Sequence, residues 1–242
     1  MNIAIYFLIL LIIVLIYLKS IVGKEYFYLI NNDWLDYRLG DAVDRYLNVN
    51  KEMYLKYPNS IAADYYLKTK HLDKKKQKNN LEVLEKIINS RKVLPNLPEN
   101  NSIVLHIRLG DTIKDFKNNQ FIFSKTHGNW ASDISKLRGT LQEIKKVNSK
   151  NKIKKVYLVY GAHKKNINVK VNLKFLEEVR NIIRSENLKI QEINTNPDDD
   201  FVFMCHSKIF IKSGGGFSKL ISKIIMKKGG KIYNIGRSSK SK

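Results

Sequence analysis

Four residues within six positions carry the most chemistry in this chain: His106, Arg108, Gly110 and Asp111. They follow the apolar run Ile103-Val104-Leu105. That run reads as a buried parallel strand delivering polar groups to its carboxyl end, the edge at which open α/β sheets bind ligands. Arg108 suits a phosphate there, because a guanidinium donates two parallel hydrogen bonds and stays charged at any pH. Gly110 permits a tight turn or the close approach of a ligand. Asp111 is a candidate general base and equally a candidate partner that orients Arg108. A second element is Ser213-Gly214-Gly215-Gly216-Phe217-Ser218, between an expected strand and an expected helix. Its glycines free backbone N–H groups to face an anion at a helix start, where the dipole favours negative charge, and Ser213 and Ser218 add hydroxyls. Loops after parallel strands open on one edge, so both elements can address one ligand.

Other groups carry less. Arg38-Leu39-Gly40-Asp41 places two charges around a turn glycine before a helix-like stretch, Ala42 to Leu47. Asp198-Asp199-Asp200 contains the letters of a D-x-D metal pair, but at an expected helix start, where acidic groups favour the positive end of the dipole. No Cys/His cluster has zinc spacing, and Cys205 is the only cysteine, so no intrachain disulfide forms. Neither G-x-G-x-x-G nor G-x-x-x-x-G-K-[ST] occurs.

The elements that must position these residues are legible in the apolar periodicity. Tyr26 to Ile30 reads as a strand, and residues 48 to 80, rich in Lys and Tyr, as a solvated loop and helix face. Leu81, Leu84 and Ile88 mark a helix ending before Pro95 and Pro98, and this linker is taken as a domain boundary. From Ile103 onward strands and helices alternate. An amphipathic helix is expected over 130–147, a strand over Val156 to Tyr160, and a helix through Leu173, Leu176, Val179 and Ile183 that Asn172 could cap. A strand at Leu188 to Ile193, a short helix with Phe201, Met204 and Cys205 inward, and a strand at Lys208 to Lys212 follow. A helix through Phe217, Leu220, Ile221, Ile224 and Ile225 precedes the last strand, Lys231 to Ile235. Five strands separated by helices predict a doubly wound, mostly parallel, Rossmann-like sheet. The expected organisation is a membrane anchor over 1–23, a small α/β domain over 24–98 and the sheet domain over 99–242.

The net charge of +22 is the unusual feature of the composition. Of 44 basic residues only 8 are Arg, the side chain that nucleic-acid readers use for bidentate contacts, so nucleic acid is not the expected partner. Ile3 to Leu18 is an unbroken apolar run. As a helix it spans about 24 Å, and Lys19 can snorkel to extend it toward the roughly 30 Å hydrocarbon core. No basic residue precedes the run, which disfavours a cleaved signal peptide and favours a single-pass anchor. Lys19 and Lys24 after it would hold the body on the cytoplasmic side, whereas a lumenal enzyme needs the reverse, so both orientations stay open.

With these residues in hand, the chain resembles the α-1,2-fucosyltransferase family and its α-1,6- and protein O-fucosyltransferase relatives. The family signature H-x-R-x-G-D is matched by His106, Arg108, Gly110 and Asp111. The family's amino-terminal R-L-G-N stretch corresponds to Arg38-Leu39-Gly40-Asp41, and Asp200, Met204, Phe217 and Ser218 fall at matching carboxyl-terminal positions. Leu109 stands where many members have a second Arg, Gly214-Gly215 replace an Asn-Ser pair, and Tyr160-Gly161-Ala162-His163 stands where a strand usually ends in acidic residues. The resemblance implies a GT-B fold, GDP-fucose as donor substrate with no metal or other cofactor, and a glycan or glycoprotein acceptor. It also implies that Arg108 pairs with the diphosphate, that His106 and Asp200 approach the guanine, and that residues 214–218 hold the β-phosphate. A Golgi- or ER-type membrane, or a viral or host one, would be the location. The rival expectation is a non-catalytic, membrane-tethered binding protein of the same fold for a glycan, a nucleotide or an anionic surface.

The apolar run generates a direct test. The full chain is expected to sediment with membranes, and a chain beginning near Lys24 to stay in the supernatant. Full-length protein recovered without detergent in the supernatant would remove the anchor.

Overall fold

The computed structural model describes residues 37–44, 47–77, 79–91, 97–125, 131–149, 152–163 and 168–235. The apolar run at 3–18 and the strand expected at 26–30 lie outside them. Among the described residues no helix is long and apolar enough to cross a membrane.

Five strands form one parallel sheet: β1 (Ser102–Gly110), β4 (Lys155–His163), β5 (Lys189–Ile193), β6 (Ile209–Lys212) and β7 (Lys231–Asn234). Their order across the sheet is β5-β4-β1-β6-β7. The chain therefore starts in the middle, builds one half outward, returns to the other flank of β1 and builds the second half. This is the doubly wound arrangement, and its topological switch point lies between β1 and β6. Strand β1 is central, and its Ile103, Val104, Leu105, Ile107 and Leu109 are all fully buried, as in a strand covered on both faces.

Side chains alternate between two cores. Ile103, Leu105, Ile107 and Leu109 face a layer made by a 3₁₀ segment (Ala131–Lys136), helix α6 (Leu137–Val147) and helix α7 (Val169–Ser185). Val104, Tyr157, Val159 and Phe210 face the other layer, made by helices α8 (Pro197–Met204) and α9 (Gly216–Lys227) with amino-terminal helices. The latter are α1 (Leu39–Asp44), α2 (Leu47–Lys56), α3 (Ile61–Thr69), the single turn α4 (Lys74–Gln77) and α5 (Leu81–Ser90). Residues on both sides of the 91–98 linker thus share one core: Tyr65, Leu84, Ile87 and Ile88 pack in the same cluster as Phe203 and Phe210.

Several expectations are corrected. Residues 48–80 are not a solvated face: Met53, Ile61, Ala62, Ala63 and Tyr65 are fully buried, the polar Tyr65 admitted because its hydroxyl donates to Gln77 O and accepts from Asn80 N–H. The helix expected over 130–147 begins as the 3₁₀ segment. Helix α7 starts four residues early, capped by Asn168, whose side chain accepts from Val171 N–H at 3.3 Å, so Asn172 is no cap. The strict alternation of strands and helices is broken by an antiparallel hairpin, β2 (Ile113–Lys117) and β3 (Gln120–Phe123). Asn118 and Asn119 both adopt positive φ at its tip, as a two-residue turn matching strand twist requires, and Phe121 packs edge-on against Phe175 of α7.

One buried carboxylate ties the amino-terminal helices to α8. Asp198 accepts from Tyr37 Oη at 2.5 Å, from Ile61 N–H at 2.6 Å and from Arg91 at 3.0 Å, and Arg91 also grips Asp64. Burial lifts the Asp198 carboxyl to about 6, although the Tyr37 and Ile61 hydrogen bonds and the Arg91 charge pull the other way.

Helix α1 meets α9 at a contact only glycine allows. A Cβ on Gly40 would stand 2.6 Å from the carbonyl carbon of Gly216 and 2.7 Å from the nitrogen of Phe217, both backbone atoms that cannot swing aside. Gly40→Ala is expected to lower unfolding free energy by about 1–3 kcal/mol, the range for forced overpacking, measured by urea denaturation. An unchanged midpoint would show that the two helices part without cost.

Candidate functional site

The site forms where β1 and β6 diverge. Their backbone pairing covers only Val104 with Phe210 and Leu105 with Ile211. Beyond it side chains take over: Ser213 Oγ accepts from the Arg108 N–H at 3.2 Å and lies 3.1 Å from His106 Nδ1, which lies 2.6 Å from Ser218 Oγ. His106 and Arg108 are thus strand residues on the α8–α9 face of β1, not members of a following loop.

Ser213 Oγ receives the Arg108 N–H and lies 3.3 Å from Ser218 Oγ, so the two hydroxyls and Nδ1 form one small hydrogen-bonded cluster. Burial, and secondarily the Arg108 charge, push the His106 pKa down to about 3. His106 is therefore neutral at physiological pH, a brace between β1 and the start of α9, packed 5.6 Å from the Phe217 ring. Phe217 in turn contacts Phe201 of α8.

The Arg108 guanidinium is bounded on two sides. Its Nη2 donates to both oxygens of Asp111 at 2.9 Å. Gly215 roofs it: with φ at +98°, a Cβ there would come 2.7 Å from Nη1. The Nε is buried without a partner, an orphaned donor that a bound anion would satisfy. Asp111 is spent orienting Arg108, so of its two sequence readings the geometry favours the partner over the base. The turn between them is set by Gly110, at φ +87°, whose N–H donates at 2.8 Å to Oδ1 of the fully buried Asn172. Asn172 donates onward to Asn168 O at 2.9 Å, which fixes its amide orientation. The sequence signal for Asn172 was an amide on the apolar stripe of an expected helix.

The glycine element becomes the amino end of α9. Gly214 precedes Gly215, which occupies the N-cap position, and Gly216, Phe217 and Ser218 form the first turn. Its N-cap residue is a glycine and so supplies no side-chain cap of its own, unlike α3, α5, α7 and α8, which use Ser60, Asn80, Asn168 and Asn196. Gly40 closes onto Gly216, and Asp41 Oδ1 is 3.8 Å from where a Cβ on Gly216 would sit.

Arg38 does not join the group, because both its hydrogen bonds go to Glu52 at 2.9 and 3.0 Å. Asp200 is nearly sealed: its Oδ1 accepts from Thr195 N–H at 3.1 Å and Thr195 Oγ1 at 2.8 Å, fixing the loop after β5. Among the described residues no group of three or more His, Cys, Asp or Glu is arranged to hold a metal ion. The chain matches no family model, and no curated protein matches it in sequence.

Asp200 gives the site a pH signature. Burial raises its carboxyl to about 7, with the Thr195 hydrogen bonds acting in the opposite sense. Between about pH 4 and pH 7 the folded chain keeps a proton that the unfolded chain releases, so the stability this group contributes is full below pH 4 and is lost as pH rises through 7. Asp200→Asn keeps an acceptor for Thr195 and removes the ionisation. The variant should match the natural chain near pH 4 and exceed it at pH 8 by on the order of 1–3 kcal/mol in urea unfolding. A variant less stable at pH 8 would mean that the charge is needed.

Proposed function

We propose that the chain is a membrane-anchored glycosyltransferase that transfers fucose from GDP-fucose to a glycan hydroxyl with inversion and without a metal. In this reading the described sheet is the nucleotide-sugar half of a GT-B arrangement, the segment before it serves the acceptor, and residues 3–18 hold the protein to its membrane. The observation that carries the reading is the oriented Arg108, gripped by Asp111 and roofed by Gly215 beside the glycine start of α9, at the switch point of a doubly wound sheet.

The chemistry follows from charge. An acceptor hydroxyl oxygen attacks the anomeric carbon from the face opposite the diphosphate and gives up its proton to solvent, the bond to the diphosphate oxygen breaks, and negative charge grows on the leaving group. A fixed guanidinium and helix-start amides stabilise that charge without reorganising, which is where an enclosed site gains most. The GDP-fucose resemblance supplies the donor, and the geometry supports only its anionic part.

A second reading has its own observation. The titratable groups brought together here are already engaged: His106 is neutral and bound at Nδ1, Asp111 holds Arg108, and Asp200 holds Thr195. A site so furnished would bind a nucleotide or phosphorylated glycan without turning it over, as a membrane-tethered binding protein does.

Titration of GDP into purified protein separates these readings. Arg108→Ala is expected to weaken binding by roughly 10- to 150-fold, from about 1.5–3 kcal/mol for a charge-assisted contact. Arg108→Lys should recover part of it, since an ammonium cannot reproduce the fork. Replacing Lys75 and Lys76, both exposed and outside the site, should change nothing. Unchanged affinity in Arg108→Ala ends the site assignment. Tight GDP binding with no release of GDP from any donor and acceptor mixture favours the binding protein.

A further inference from the structure

Arg108 is closed on one flank and open on the other. Toward β6 the glycine turn covers it: a Cβ on Gly215 would come 2.7 Å from Nη1, and the φ of +98° there disfavours any side chain. On the other side the parallel register pairs Arg108 with Gly161 of β4. Paired residues of neighbouring strands share a face, and this row holds to that: Val104 pairs with Tyr157 and His106 with Val159, all on the α8–α9 side. Gly161 continues the row beside Arg108. A Cβ built on it meets no described atom within 4 Å, although Val159, one step further in, is 1% exposed. Among the described residues the space over Gly161 is therefore a ledge at the edge of the core, floored by strand backbone and next to Arg108 in the row. Gly161 is absent from the positive-φ positions, so backbone conformation does not demand a glycine there. What the glycine provides is clearance.

A bare phosphate on Arg108 needs no such clearance, whereas a phosphate carrying a bulky group does, because the flank toward β6 is shut. We propose that the ledge over Gly161 receives the nucleoside of a nucleoside diphosphate whose phosphate rests on Arg108, and that Gly161 sets how large a group is admitted. The inference rests on the anion-site reading above and adds the direction of approach and the residue that limits size.

The test uses the full chain in detergent, with Gly161→Ala and Gly161→Leu, both compatible with the backbone. Circular dichroism and urea unfolding verify that each folds. GDP and inorganic pyrophosphate are titrated calorimetrically into each protein. GDP affinity should fall stepwise from Gly to Ala to Leu, by roughly tenfold or more for Leu, while pyrophosphate affinity holds within about twofold. Undiminished GDP affinity in Gly161→Leu overturns the proposal. So does an equal loss of both ligands, which would place the disturbance on Arg108 itself. If the natural chain binds pyrophosphate with no preference for GDP, the ledge is no nucleoside subsite and the anion site still stands. If it binds neither, the anion site falls and the ledge with it.

Discussion

The divergence of β1 from β6, bridged by two serine hydroxyls and one neutral imidazole, is the constraint on which the site depends. Two strands that remained paired to their ends would leave no crevice, and two that parted unbridged would leave the Arg108 N–H and the start of α9 without fixed positions. Ser213 takes over the backbone's accepting role, and His106 joins β1 to the first turn of α9 across the gap. His106 bridges the gap as a neutral ring. Burial secures that. A histidine in a motif usually invites an acid–base role, and here its geometry makes it a structural strut.

A second layer of constraint comes from the amino-terminal helices. Asp198 has almost no solvent of its own, and it is stabilised by a tyrosine hydroxyl, a helix-start amide and Arg91, each from a segment before β1. Without those partners a carboxylate at that depth would be costly. The same helical layer brings Gly40 against the glycine turn, so the wall of the site is set by a segment more than a hundred residues away in the chain.

The sheet was largely legible in sequence because its signals are local. Apolar runs bounded by polar turns mark β1, β4 and β6, and the stripes of α6, α7 and α9 recur at helical spacing. What escaped depended on tertiary partners. Tyr65 read as part of a solvated face and Asp198 only as a helix-start acid, because nothing nearby in sequence reveals the backbone atoms and the arginine that receive them. The hairpin after Asp111 was missed although Asn118-Asn119 is a turn signal, since Lys-Asp-Phe-Lys alternates too weakly to announce a strand. Of the candidate site, Arg108, Asp111 and the glycines were visible as chemistry. The diversion of Arg38 to Glu52 and of Asp200 to Thr195 could not be read, because long side chains choose among partners only the fold supplies.

The strand order also bears on how the molecule assembles. Strand β1 finds β4 after one helix and a hairpin, but β6, its other neighbour, arrives only after β4, α7, β5 and α8 have been laid down. The first half of the sheet can therefore form from comparatively short-range pairings, while the seam between β1 and β6 closes over a long loop and at greater entropic cost. Because Arg108 belongs to one half and Gly215 to the other, a ligand that touches both clasps the seam itself. Occupancy would then draw the folding equilibrium of the entire sheet toward completion, and a half-assembled chain would have nothing to hold the ligand with.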